Sequence, residues 1–132
     1  MHSTNLDNLV KTHQLKKELY HKEEFVGLVN SGCARLTDAE NTTLATESRF
    51  DLAYNAAHAL ALAALRRKGY RSKHRYLVFQ VLPFTLEVGP EVWRVLDKCH
   101  DRRNLAEYEG HLEIDEQLLQ DLIAATRILL KK

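Results

Sequence analysis

Apolar residues return every three to four positions along most of the chain, and only two prolines and five glycines interrupt them. That period predicts helices rather than strands. A first helix is expected over about 6–30, capped by Asn5, with Leu15, Leu19, Val26 and Val29 as its seam and Ser31-Gly32 as its stop. Thr37-Asp38-Ala39-Glu40 has the Thr-x-x-Glu form of a capping box and predicts a new start. A second long helix is expected over 46–68, ended by Gly69. Its middle reads AYNAAHALALAAL. Side chains this small let a neighbouring backbone come close, which suits the central helix of a bundle.

A third helix is expected over 72–84, with Pro83 ending or kinking it; YLVFQVL (76–82) also passes locally as a strand. Gly89-Pro90 opens a fourth that runs to Gly110, with proline at the favoured first position. Asp115 caps a fifth, whose Leu118, Leu119, Leu122, Ile123 and Leu129 face inward. No linker, repeat or low-complexity tract divides the chain. The expected fold is all-α: one domain over 1–132, an up-and-down antiparallel bundle of about five helices.

Composition narrows the function classes. A net charge of +1 argues against a broad nucleic-acid footprint and leaves room for a local one. The local candidate is Gly69 to Tyr76, GYRSKHRY, beside Arg66, Arg67 and Lys68; a solvated helix–loop junction is the other reading. Cys33 and Cys99 stand in no metal or redox spacing and read as buried free thiols. The first residues lack the cationic start and apolar run of a signal peptide, and 56–65 is too short to span a bilayer. These features point to a cytoplasmic protein with no membrane association. No metal-ligand set or phosphate-cradling glycine loop is present, so no cofactor and no metal are expected.

The fourth helix carries the candidate chemistry. At about 100° per residue, Trp93 and Leu96 lie within about 40° of His100, while Arg103 falls near −60°, Asn104 near +40° and Glu107 near −20°. Tyr108 lies on the flank beside Asn104, and His111 joins this face only if the helix passes Gly110. A face that begins apolar and turns polar is one that leaves a core to line a cleft or a subunit interface. The second helix has a matching stripe of Glu47, Asp51, Tyr54, Asn55 and His58. Two such stripes can meet in a hydrogen-bonded cluster. The bland alternative is a solvated Arg103–Glu107 pair at i,i+4 spacing, with solvated Asp51 and Asn55.

The segments SRFDLAYNAAHALALAALRRKGYRS and CHDRRNLAEYEG resemble the HEPN superfamily of small helical bundles. The resemblance runs from the central helix to the last and is strongest over Arg49–Arg71 and Cys99–Gly110. It implies a homodimer with a cleft between subunits. Active members pair an arginine with a histidine, four to six residues lying between them, and many are metal-independent RNases that form a cyclic phosphate by attack of the RNA 2′-hydroxyl. Others are non-catalytic, and several toxins partner a nucleotidyltransferase. Here Arg103-Asn104 matches the start of the motif, but Tyr108 stands where the histidine belongs.

The resemblance therefore implies a dimeric binder of RNA or nucleotide phosphate centred on Arg103, toxin–antitoxin or regulatory in role, with weak or absent catalysis. Two alternatives stay open. One is an active endoribonuclease using Arg103 and Asn104 with Glu107, His100 or His111. The other is an interaction module for a nucleotidyltransferase. Asp51, Asn55, Tyr108 and His111 are the expected substrate-binding residues, and Arg103, Asn104, Glu107 and His100 the catalytic candidates.

Overall fold

Alanine, glycine and two arginines decide how the longest helix of the chain is enclosed. In the computed structural model, which describes residues 2–72, 74, 76–110 and 114–131 (without the side chains of 2–4 and 107–109), the elements follow in order. They are α1 (His2–Lys11), β1 (Leu15–Lys17), α2 (Lys22–Ala39), α3 (Thr46–Arg67), β2 (Tyr70–Ser72), α4 (Leu77–Gln80), α5 (Leu82–Thr85), α6 (Pro90–Glu109) and α7 (Glu116–Lys131). The all-α expectation holds, and a two-stranded ribbon is added to it.

Contacts along α3 fix the helix directions. Glu24, Gly32 and Ala39 of α2 meet Arg66, Leu60 and Arg49 of α3 respectively, so these two helices are antiparallel. Tyr54 meets His100 and Asp51 meets Arg103, so α6 also runs against α3. Glu116 lies at Arg49, and Leu129 shares a groove with Ala63 and Ala64, so α7 runs along α3 in the same direction. Helices α2, α3, α6 and α7 thus form an up-and-down bundle. Ala53, Ala56, Ala57, Ala61 and Ala63 of α3 are buried in it, with Phe50, Tyr54 and Leu65. At the α2 crossing, a Cβ on Gly32 would stand 2.8 Å from Leu60 Cδ2. The Ser31-Gly32 pair does not stop α2; the missing side chain is what lets α2 close on α3.

The amino-terminal third differs from expectation. The predicted helix over 6–30 is broken: α1 stops at Lys11, His13 takes a positive φ of 64°, and β1 pairs antiparallel with β2 in the register Leu15 with Ser72 and Lys17 with Tyr70. Leu15 faces the core, but Leu19 is 81% exposed, so the seam of leucines never formed one stripe. Asn5 lies inside α1 rather than capping it. Thr37 is no helix start either; it lies in the last turn of α2, its hydroxyl donating to the Cys33 carbonyl at 3.0 Å. The helix expected over 72–84 is two short helices meeting at Val81, with Leu77, Val78, Phe79 and Leu82 buried. The remaining boundaries agree. Gly69 leaves α3 at φ 90°, Pro90 opens α6, and Asp115 accepts the Leu118 N–H at 2.7 Å.

A buried guanidinium ties the ribbon to the bundle. Arg66, fully buried, donates to Glu24 Oε1 at 2.6 Å and to the carbonyls of Leu19 at 2.6 Å, Glu18 at 3.1 Å and Tyr70 at 3.2 Å. Arg71 of β2 bridges the same two acids, reaching Glu18 Oε2 at 2.6 Å and Glu24 Oε2 at 2.5 Å. The hydrogen bonds from Arg71 hold both carboxyls below their ordinary range, with Arg66 adding to the effect. Replacing Arg66 with alanine leaves three carbonyls and a carboxylate without this donor. The expected loss is about 3–5 kcal/mol, read from urea unfolding of Arg66→Ala against wild type.

At the other face of the ribbon, the Tyr70 hydroxyl donates to Asp7 Oδ1 at 2.5 Å, tying α1 to β2. Burial, then the bond to Asp7, pushes the Tyr70 phenol up to about 12. An unfolded tyrosine titrates near about 10. The folded state therefore holds a proton that the unfolded state releases, and the stability this supplies is present below about 10 and lost as the pH rises toward about 12. Tyr70→Phe is expected to flatten that part of the alkaline unfolding curve.

Candidate functional site

Most of α3 is buried, so a polar group on its buried face toward α6 needs a partner there. Tyr54 is such a group. Its ring is 1% exposed, and its hydroxyl is hydrogen-bonded to His100 Nδ1 at 2.9 Å. Phe50 and Phe79 pack against it, with centroids 6.3 and 5.6 Å away. The other imidazole nitrogen, Nε2, lies 3.1 Å from Asn104 Nδ2, one helical turn along α6. Both ring nitrogens are thus engaged. The asparagine amide suits either tautomer, since rotation presents an acceptor where a donor stood.

Arg103 closes the cluster on its solvent side. Its Nη1 donates to Asp51 Oδ1, and its Cζ stands 5.0 Å from the Tyr54 ring centroid. The arginine side chain is 30% exposed and the aspartate 53%. This is a water-facing ion pair, worth about 0–1 kcal/mol. Asn55 donates to the Asp51 carbonyl at 2.9 Å and stands 3.5 Å from its Oδ2, holding the carboxylate from behind.

His100, Arg103, Asn104, Asp51 and Asn55 are therefore brought together as the two stripes predicted, with Tyr54 between them. Glu47 lies exposed in the first turn of α3, and the His58 and Phe79 rings meet at right angles with centroids 5.9 Å apart. The side chains of Glu107 and Tyr108, and His111 altogether, lie outside the described residues.

One participant was missed. Tyr76, just before α4, stacks on His100 with centroids 3.9 Å apart and planes 14° from parallel. Nothing in the helical period of 76–82 places its first aromatic opposite α6; only the break between β2 and α4 does so. Beyond Tyr76 the face opens into a groove of about 460 Å³ lined by Tyr76, Phe79, Gln80, Pro83, Trp93 and Asp97.

Of the cations in and beside the basic segment over 69–76, Arg67, Lys68 and His74 are exposed. Arg66 and Arg71 are spent on Glu18 and Glu24, and Lys73 and Arg75 lie outside the described residues. Of the two thiols expected to be buried, Cys99 is, and burial pushes it up to about 12, while Cys33 is partly exposed. A thiol so strongly held in its protonated form is a poor nucleophile. Among the described residues, no three His, Cys, Asp or Glu side chains converge as a metal site, and no helix is long and apolar enough to cross a membrane. Comparison with family models, curated proteins and solved structures finds no match to the chain.

The arrangement offers a cation, an imidazole and an amide on one ridge of α6, backed by a buried phenol. The Tyr54–His100 bond is its internal anchor. Tyr54→Phe is expected to lower stability by about 0.5–1.5 kcal/mol and to move the ¹⁵N resonances of the His100 ring, Nδ1 most. An unchanged imidazole spectrum would contradict the contact.

Proposed function

We propose that the chain is a HEPN-like protein that dimerises and binds RNA or nucleotide phosphate in a cleft centred on Arg103, with weak or absent catalysis and a toxin–antitoxin or regulatory role. The observation that carries this reading is the meeting of Arg103 and His100 of α6 with Asp51 and Tyr54 of α3, Asn104 holding the far side of the His100 ring. A guanidinium seated on an aromatic ring and held by an exposed carboxylate can exchange that carboxylate for a phosphate at small cost. Leu105 supports the dimer, since α6 leaves it 50% exposed. The resemblance of Arg49–Arg71 and Cys99–Gly110 to the HEPN pattern supplies the biological class, including a nucleotidyltransferase as candidate partner.

One observation favours a second reading, an active endoribonuclease. His100 stands one turn before Arg103, with its ring held at both nitrogens. In that reading Asn104 swings off His100 Nε2, and that nitrogen takes the proton of an RNA 2′-hydroxyl as its oxygen attacks the adjacent phosphorus. The bond from phosphorus to the 5′-oxygen breaks, that oxygen takes a proton from water, His100 releases its own to solvent, and a 2′,3′-cyclic phosphate remains. Arg103 holds the phosphate charge through the step.

Both readings meet in one experiment. Purified protein is mixed with RNA in EDTA, and binding, cleavage and sedimentation are followed for wild type, Arg103→Ala and His100→Ala. Arg103→Ala is expected to weaken RNA binding about tenfold or more, because it removes a charge-assisted contact of about 1.5–3 kcal/mol. Equal binding by wild type and Arg103→Ala overturns the proposal. Cleavage by wild type that disappears in both variants selects the second reading.

A further inference from the structure

The groove beside His100 has the chemistry of a nucleobase site, and we propose that it takes a guanine whose phosphate reaches Arg103. This inference rests on the phosphate reading above and adds the identity of the base. The groove of about 460 Å³ falls within the range of small-ligand sites, about 300–1,000 Å³. Its walls are flat. Trp93 presents an indole that is 36% exposed, and the Arg94 guanidinium lies 5.7 Å from its centroid. Tyr76 is half-buried and stacked on His100, so the groove and the Arg103 cluster share a wall. Stacking on such rings is worth about 1–3 kcal/mol per base and takes any base.

Selectivity comes from the polar groups. Asp97 is partly buried in the groove lining, and Gln80 is exposed at its rim. A carboxylate accepts two parallel N–H bonds. Guanine alone among the four RNA bases offers two adjacent donors of that kind on one edge, N1–H and N2–H. The same carboxylate repels a phosphate, so a nucleotide enters with its base toward Asp97. The opposite charge is in the right direction: Arg103 lies six residues further along α6, about 9 Å by helix rise. Asp97 and Arg103 flank His100 at about 60° on either side, about 120° apart on the helix, with His100 between them. A nucleotide lying along this face puts its base between the aromatic walls and its phosphate at the guanidinium.

Trp93 is the only tryptophan in the chain, so its fluorescence reports this groove alone. Wild-type protein is titrated with guanosine 5′-monophosphate, the other three nucleoside monophosphates, guanosine, inosine and inorganic phosphate. A short guanine-containing oligoribonucleotide and its adenine counterpart distinguish RNA from free nucleotide as the source of the base. Saturable quenching is expected from the guanine ligands, about tenfold tighter than from inosine, which lacks the N2 donor. Asp97→Asn is expected to remove the preference and keep the stacking. Arg103→Ala is expected to weaken guanosine monophosphate and leave guanosine unchanged.

Equal response to all four bases, no preference for guanosine over inosine, or no saturable quenching overturns the guanine assignment, even if RNA binding still depends on Arg103. Guanosine and its monophosphate binding alike, both unaffected by Arg103→Ala, keep the base site and overturn the phosphate reading instead. The inosine comparison needs no variant, so it stands whether or not Asp97→Asn folds.

Discussion

The enclosure of α3 by three other helices is the constraint on which the rest of this structure depends. A helix can be buried on most of its surface only if its neighbours come close, and close approach needs small side chains on both sides. The alanines of α3 supply one side and Gly32 of α2 the other, where a single added carbon would collide with Leu60. Once α3 is enclosed, its polar positions have few choices. Tyr54 cannot reach water, so its hydroxyl must find a partner on whichever element lies above it, and that partner is His100 of α6. The position of the imidazole is thus a consequence of packing as much as of chemistry.

Both ends of α3 are secured in the same way. Arg49 and Arg66 are buried, and each spends N–H groups on backbone carbonyls that helices and strands leave unpaired. Arg49 Nε donates to the carbonyl of Ala39, the last residue of α2, at 2.8 Å, where no further turn exists to donate to it. Arg66 does the same for the segment joining β1 to α2 and for the β2 strand. Buried charges are weak sources of net stability because of the desolvation they require. Their effect is directional: an arginine fork satisfied by four specific oxygens accepts one path for the chain and rejects its neighbours.

The long helices of the carboxy-terminal two thirds were legible because their period, their glycine stops and their proline start agree. The amino-terminal third was not. Leu15 and Leu19 are four apart, which fits a helix, yet one faces the core from a strand and the other faces water. What breaks the helix is long-range: Glu18 and Glu24 are drawn to Arg66 and Arg71, about fifty residues away in sequence, and no local window holds that information. The two polar stripes were legible because each follows helical spacing. Tyr76 was not, since its place opposite His100 depends on where α4 begins.

The difference between Arg66 and Arg103 explains why only one is a candidate for binding. Both pair with carboxylates, but Arg66 is fully buried with four oxygens around it, whereas Arg103 and Asp51 face water. To reach a ligand, Arg66 would leave several buried carbonyls unpaired, each a loss of about 1–3 kcal/mol. Arg103 would give up an exposed pair worth about 0–1 kcal/mol, and the released carboxylate would be hydrated at once. A terminal nucleotide phosphate brings more charge and more acceptor oxygens than a carboxylate, and a phosphodiester brings as many of each, so the proposed exchange at Arg103 costs little. The Tyr54 ring beneath the guanidinium keeps it from collapsing into the space the carboxylate leaves. The same enclosure of α3 that fixes Tyr54 therefore also holds the arginine at the surface, where its charge can be used.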